Sequence, residues 1–369
     1  MKEDLANRKM VFIGGPRQVG KTSLALKLIG AKDETDLRYL NWDQIQVRER
    51  LLKGDVAPSA QLIFDEIHKF SRWKSLVKGF YDTRKSHTQF IVTGSARLDV
   101  YKQGGDSLQG RYHHYRLHPF TLGELALTGK NTDLKQLLTY GGFPEPFTKA
   151  NARHWRRWQL ERRERLIRED LRDLEQVREL SMLELLAATL PGRVGSPLSV
   201  KNIKDLLQVA HESVERWITI FERMYFCFRI PPYGSPKVKA VKKEQKLYLW
   251  DWSPVEDPGA RFENFVGSHL LKYCHYEQDV NGYAMELRYL RDVEKREIDF
   301  VVMKSGKPIF AVECKCGEKA LSPSISYFAA RTPIPRFYQV HLGQKDYGDA
   351  AHGGRVLPFA TLVRELGLP

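Results

Sequence analysis

Short apolar runs closed by glycines or acids recur through the first third of the chain. Met10–Ile13, Arg38–Asp43, Gln61–Glu66, Gln89–Ser95 and Tyr112–Leu117 are each too short for a helix and read as strands. Leu24–Ile29 supplies helical spacing after the first of them. Strands of this kind alternating with helices predict an α/β domain around a parallel sheet. From Asn151 to Leu180 the pattern changes to a long, heavily charged helical stretch, with Trp155, Trp158, Leu166, Leu171 and Leu174 as intermittent apolar contacts. Between Met182 and Trp252 come short amphipathic helices, one of which Ser199 can cap, then a hairpin from FCFRI to LYLWDW around a Pro-Pro-Tyr-Gly-Ser-Pro loop. Beyond residue 260 a helix carries Glu263, and Leu287–Leu290 and Glu297–Met303 read as strands. Lys304-Ser-Gly-Lys307 turns the chain back into a strand ending at Lys315, followed by a helix, the strand FYQVHL and a terminal helix TLVREL.

Composition narrows the class. The 369 residues suffice for two or three domains with their own cores. Hydrophobic content of 42% and charged content of 28% are those of a soluble globular protein. No run approaches the ~20 apolar residues of a membrane span, and the opening MKEDLANRK lacks an apolar signal region. Cys227, Cys274, Cys314 and Cys316 do not have zinc-site spacing, so reduced thiols in a cytoplasmic compartment are expected. The formal charge of +14 attracts polyanions, nucleic acid first, or serves only to keep the surface soluble.

The strongest chemical signal is the loop Gly15-Pro16-Arg17-Gln18-Val19-Gly20-Lys21-Thr22-Ser23, set between a buried strand and a helix. Glycines let successive backbone N–H groups turn toward a phosphate, and the helix N-terminus adds positive potential. Lys21 adds a full charge, and Thr22 offers a hydroxyl to Mg²⁺. The strand ending in Asp65-Glu66 belongs at the ligand edge of such a sheet. Asp65 is suited to hold Mg²⁺ and Glu66 to orient or deprotonate a water. Thr93 or Ser95, ending the next strand, either senses a γ-phosphate or caps the strand. Arg111 is either an arginine finger, acting in trans if subunits form a ring, or a surface arginine at a turn.

Taken together, GPRQVGKTS, LIFDE, TGS, SLQGR, HPFTLGEL and YGGFPEPF resemble a prokaryotic, archaeal-type group of AAA+ ATPases whose C-terminal domain was long of unknown function. That resemblance implies an AAA+ core over 1–116, ATP hydrolysis with Mg²⁺, a small helical lid over 117–150, and homo-oligomers such as ring hexamers. No clear second sensor arginine appears in the lid.

The charged stretch 151–180 either follows a phosphate backbone or is a solvated connector with i,i+4 pairs. Residues 181–252 read as a winged helix, used either for DNA or for protein packing. Its candidate DNA contacts are Arg216 and the wing lysines Lys237, Lys239, Lys242 and Lys243.

In 253–369, period-two alternation puts Glu313 and Lys315 on one strand face beside Asp299 of the hairpin partner. Two such carboxylates suit a hard divalent ion. Lys315 suits a water or a developing phosphorane charge. With Glu263 on a preceding helix, the set resembles the PD-(D/E)XK nuclease fold, with Ile298 at the proline position. The resemblance implies Glu263, Asp299 and Glu313 as ligands of Mg²⁺ or Mn²⁺, in a domain that either cuts DNA or only grips it.

The expected function is an ATP-driven, DNA-acting motor or remodeller, translocation on branched DNA included. Its rivals are an ATP-dependent DNA-binding switch with an inert nuclease fold, and a signalling ATPase with a protein partner.

Overall fold

The computed structural model describes residues 1–94, 108–127, 134–170, 180–234 and 244–369. Ser95 and the four wing lysines (Lys237, Lys239, Lys242 and Lys243) lie outside the described residues. The chain divides into two compact units, Met1–His118 with Arg223–Tyr225, and the remainder.

In the first unit, strands β1 (Met10–Gly14), β2 (Tyr39–Asn41), β3 (Gln61–Asp65), β4 (Gln89–Gly94) and β5 (Tyr112–Arg116) form one sheet in the order β2-β3-β4-β1-β5. Every pairing is parallel, as the alternation of strands and helices predicts. The apolar runs are continuous because both faces are covered. Phe12, Leu62, Phe64 and Phe90 pack on one side with Trp42, Leu51 and Trp73. Val11, Ile13, Ile63 and Ile91 pack on the other with Ala25, Leu26 and Ile29. The strand expected over Arg38–Asp43 is present only as β2.

The second unit begins with the helices Leu122–Leu127, Leu134–Tyr140 and Pro144–Lys149, followed by Ala152–Arg165. That last, charged helix is not simply a solvated connector. Trp158 is buried, Trp155 Nε1 donates to Ser253 Oγ at 2.9 Å, and the Arg162 guanidinium lies 4.1 Å over the Phe143 ring. The helices Leu180–Thr189, Val200–Leu207 and His211–Arg223 precede a two-stranded antiparallel sheet, β6 (Cys227–Ile230) and β7 (Lys246–Leu249). Ser199 caps the middle helix, its side chain accepting from Asn202 N at 3.2 Å. Val214, Trp217, Ile218 and Phe221 turn one face of the last helix inward.

The C-terminal sheet has six strands, β8 (Met285–Arg291), β9 (Glu297–Lys304), β10 (Lys307–Cys314), β11 (Phe337–His341), β12 (Tyr347–Asp349) and β13 (Gly354–Pro358), in the order β12-β13-β11-β10-β9-β8. β8, β9 and β10 run antiparallel, while β10, β11 and β13 run parallel. The helix Pro258–Asn281 packs closely on this sheet because Gly267 has no side chain; a Cβ there would lie 2.8 Å from the Phe300 ring. No helix among the described residues is long and apolar enough to cross a membrane.

Candidate functional site

The C-terminal ends of β1, β3 and β4 bring the phosphate-loop residues and the paired acids to one sheet edge. Gly15 sits at φ 150°, and a Cβ there would strike the Leu117 carbonyl, so the loop requires glycine for space as well as backbone freedom. Gly20, at φ 99°, is the N-cap of the helix Lys21–Leu28. Lys21 is buried, and its Nζ donates to Gly15 O at 3.1 Å and Pro16 O at 2.7 Å. Its ammonium is thereby curled over the loop that the sequence assigns to phosphate.

Asp65 is buried at the end of β3 and fully engaged. Its Oδ2 accepts from Thr22 Oγ1 at 3.0 Å and from the Tyr39 hydroxyl, and its Oδ1 accepts from Thr93 Oγ1. The pairing of Thr22 with Asp65 joins the two Mg²⁺ candidates. Thr93 is completely buried, and this bond directs its hydroxyl at Asp65. Tyr39 is a member of the site that the sequence reading missed. Its only signal was an aromatic hydroxyl in a strand paired directly with β3. Asp65 itself and burial hold the Tyr39 hydroxyl firmly protonated, burial being the larger effect.

Glu66 adopts a left-handed backbone, φ 53°, as the strand ends. Its N–H donates to Thr93 O at 3.1 Å. Burial raises its pKa, opposed by Lys21. The donor set fits Mg²⁺-nucleotide: a glycine cradle, a buried ammonium, and a hydroxyl–carboxylate pair beside a second acid.

Arg111 stands elsewhere. In the β1–β5 register Met10 faces Tyr112 and Gly14 faces Arg116. Arg111 is therefore at the opposite end of β5 from the loop, roughly 13–17 Å away at ~3.3 Å per residue. Its Nε donates to Asp82 Oδ1 at 3.1 Å. It therefore stands away from the loop of its own subunit, paired with Asp82. Arg116, level with Gly14, is the arginine this register places at the ligand edge.

In the second unit the expected metal set does meet, around an unexpected group. Lys246, first residue of β7, is fully buried. Its Nζ lies 3.0 Å from Glu263 Oε1 and 3.5 Å from Asp299 Oδ1, and it also pairs with Glu297. Tyr248 donates to Glu263 Oε1 at 2.7 Å. The Cys314 N–H donates to Asp299 Oδ2 at 2.8 Å, and Lys315 Nζ donates to Glu313 Oε1 at 2.6 Å. Burial pushes the Lys246 pKa down, but Glu263, Asp299 and Glu297 together hold it above its ordinary value. Glu263 and Glu313 are both raised, by burial first and then by Asp299. No group of three or more His, Cys, Asp or Glu among the described residues is arranged to hold a metal ion. The four residues lie near one another, and two of them, Glu263 and Asp299, flank an ammonium. Lys246 escaped the sequence reading because a lysine before an apolar strand looks like a surface charge.

Arg216 is exposed on the helix His211–Arg223.

Residues 7–126 match the family model of an AAA domain. Residues 131–256 and 258–362 match two domains of unknown function, DUF8612 and DUF4143. The chain is 20% identical over 380 residues to the uncharacterized protein MJ1637 of Methanocaldococcus jannaschii, covering 85% of this chain and 76% of that protein. It is 22% identical over 343 residues to the uncharacterized protein Rv2008c of Mycobacterium tuberculosis, with 88% and 74% covered. Among solved structures, the Aeropyrum pernix ORC1 protein in complex with DNA is 13% identical, covers 72% of this chain and 90% of that one, and has a TM-score of 0.32. PCH-2 of C. elegans is 16% identical, with 59% and 63% covered and a TM-score of 0.23. The AAA+ ATPase assignment of the N-terminal segment stands on the domain match and on the parallel sheet with its phosphate loop.

Proposed function

From an N-terminal AAA+ ATPase domain as premise, we propose that the chain hydrolyses ATP and uses that hydrolysis to act on DNA. The observation that carries the ATPase half is the convergence of Lys21, Thr22, Asp65 and Glu66 on one sheet edge. Lys21 and the loop N–H groups would neutralise and orient the phosphates. Thr22 and Asp65 would hold Mg²⁺, which when bound supplies neutralisation of phosphate charge. Tyr39 and Thr93 keep the Asp65 carboxylate turned toward Thr22. Glu66, with a raised pKa, is suited to take a proton from the attacking water. Arg111, remote from its own loop, fits a neighbouring subunit's site in a homo-oligomer, a ring hexamer included.

The DNA half rests on charge and module type. Three helices followed by a two-stranded sheet suit a winged helix. Exposed Arg216 and the lysines at 237, 239, 242 and 243 supply cations for phosphates within a chain of net charge +14. The hairpin β9–β10 with Glu263 on the packed helix suits a nuclease-like domain. A second reading, in which that domain holds DNA without cutting it, is favoured by the buried Lys246 among its carboxylates.

ATP hydrolysis is to be measured with and without single-stranded, duplex and four-way-junction DNA, with cleavage followed in parallel. Hydrolysis stimulated by DNA and abolished by Lys21→Ala is the expected result. Failure of every DNA to bind or to stimulate hydrolysis overturns the proposal, and points to a protein partner instead.

A further inference from the structure

Glu263, Asp299 and Glu313 are the carboxylates in which a nuclease of the fold that this domain resembles would hold its metal. Divalent ions need carboxylate oxygens within about 2.0–2.6 Å and cannot share them with an ammonium at the centre of the set. In this chain the Lys246 ammonium lies against two of the three, Glu263 and Asp299. It touches Glu263 Oε1 at 3.0 Å and Asp299 Oδ1 at 3.5 Å, and Glu297, outside the expected ligand set, completes its shell. The neighbouring groups reinforce this occupancy. Tyr248, two residues on and so on the same face of β7, donates to the Glu263 oxygen that Lys246 uses. Both oxygens of Asp299 are engaged, Oδ1 by Lys246 and Oδ2 by the Cys314 N–H. The second Glu263 oxygen packs against Gly195, where a Cβ would come within 2.9 Å of it.

We propose that Lys246 is the resident cation of this cluster, standing where a divalent metal would otherwise stand. The C-terminal domain accordingly folds and holds its carboxylates without metal, and does not cut DNA through this site. Lys246 belongs to β7, so the same ion pairs fasten the two-stranded sheet to the helix carrying Glu263 and to β9. The contact between these elements is further stitched by Tyr233 N donating to Tyr289 O at 2.6 Å and by the Tyr289 hydroxyl donating to Glu244 O at 2.7 Å. Lys246 is therefore both counter-ion and latch. The one oxygen of the cluster that remains buried without a hydrogen-bond partner is Glu313 Oε2, so a metal held by Glu313 and Asp299 is the competing outcome.

The inference rests on the nuclease-like reading of the C-terminal half, and its test is separate from the test of DNA action. Mn²⁺ uptake is measured by electron paramagnetic resonance on the full, nucleotide-free chain, for wild type, Asp299→Asn, Lys246→Met and the double variant. Any uptake at the phosphate loop is common to all four and cancels. The expected result is equal uptake by wild type and Asp299→Asn, one further equivalent in Lys246→Met, and loss of that equivalent in the double variant. Mn²⁺ should also raise the unfolding temperature of Lys246→Met but not that of wild type. An equivalent bound by wild type and lost in Asp299→Asn overturns the proposal, and so does a folded Lys246→Met that gains none. If Lys246→Met does not fold, Lys246→Gln combined with Glu297→Gln, which removes one charge of each sign, replaces it under the same criteria. Loss of DNA-stimulated hydrolysis would leave these measurements unchanged, whereas the metal result does not depend on ATP.

Discussion

At the residue scale, the acids at the end of β3 divide their work by their partners. Asp65 is locked by Thr22, Tyr39 and Thr93, while Glu66 is turned out of the strand by its left-handed backbone. Glu66→Gln is accordingly expected to keep nucleotide binding and to lower kcat by ~10²–10⁴-fold, the usual contribution of a general base. Parallel measurement of nucleotide Kd and turnover checks this, and an unchanged kcat would sink the assignment. Tyr39→Phe removes one of three donors to Asp65 and leaves the others. It should raise the Mg²⁺ concentration needed for half-maximal turnover a few-fold and cost about 0.5–1.5 kcal/mol of stability. A Mg²⁺ titration of the ATPase reads the first effect and denaturant unfolding the second. The loop and the paired acids were legible as chemistry because their residue types and order are tied to phosphate binding. Tyr39 was not, since a strand tyrosine is ordinarily a packing residue and only the β2–β3 register points it at Asp65.

Among the elements, the helix Pro258–Asn281 decides where Glu263 stands. Its approach to β9 depends on Gly267, whose absent side chain makes room for the Phe300 ring. Gly267→Val should push helix and sheet apart at a cost of about 1–3 kcal/mol, and should disturb the Glu263–Lys246 pair one turn away. Gly259→Ala, near the solvent end of the same helix, is the control. Equal unfolding temperatures for the two variants would contradict this packing account. Lys246→Met tests the same junction from the other side. Removing one member of a buried ion network strands the others, and about 3–5 kcal/mol is the expected loss without metal. The helices and strands of this region were readable from periodicity. Their mutual approach was not, because neither Gly267 nor Lys246 carries a local signal of what it will face.

For the whole molecule, acid should be destabilising through histidines buried neutral in both units. His269 is completely buried; its Nδ1–H donates to Phe265 O at 2.7 Å, and its Nε2 accepts the Leu122 N–H at 2.9 Å. An imidazolium could not accept that second bond, and burial pushes its pKa down to about 3 from an ordinary 6.5. His68 is likewise pushed down to about 3, chiefly by burial. With both lowered, the unfolded chain takes up protons that the folded chain refuses. The associated stability is complete above pH 6.5 and is lost as pH falls from there toward 3. Denaturation midpoints at pH 7.5 and 5.5 check the sign, and His269→Gln should flatten the difference. A midpoint that rises on acidification would refute it. DNA affinity, on the other hand, should fall steeply with salt if the basic residues meet phosphates, and titration at two ionic strengths measures the slope.

From sequence alone came the parallel α/β class of the first unit, the phosphate loop, its acids and four residues of the C-terminal cluster, without Lys246 or Glu297. Each of these is carried by local order: a periodicity, a glycine spacing, or a strand that ends in carboxylates. Only tertiary structure decided that Arg111 lies at the far end of β5, that Thr93 and Tyr39 serve Asp65, and that the charged helix packs by one face. The same holds for the cation among Glu263, Asp299 and Glu297. Register and burial bring together residues distant along the chain, and a buried lysine differs from a surface one only in what surrounds it. That physical difference turns a set of metal-binding residue types into a closed ion cluster around Lys246.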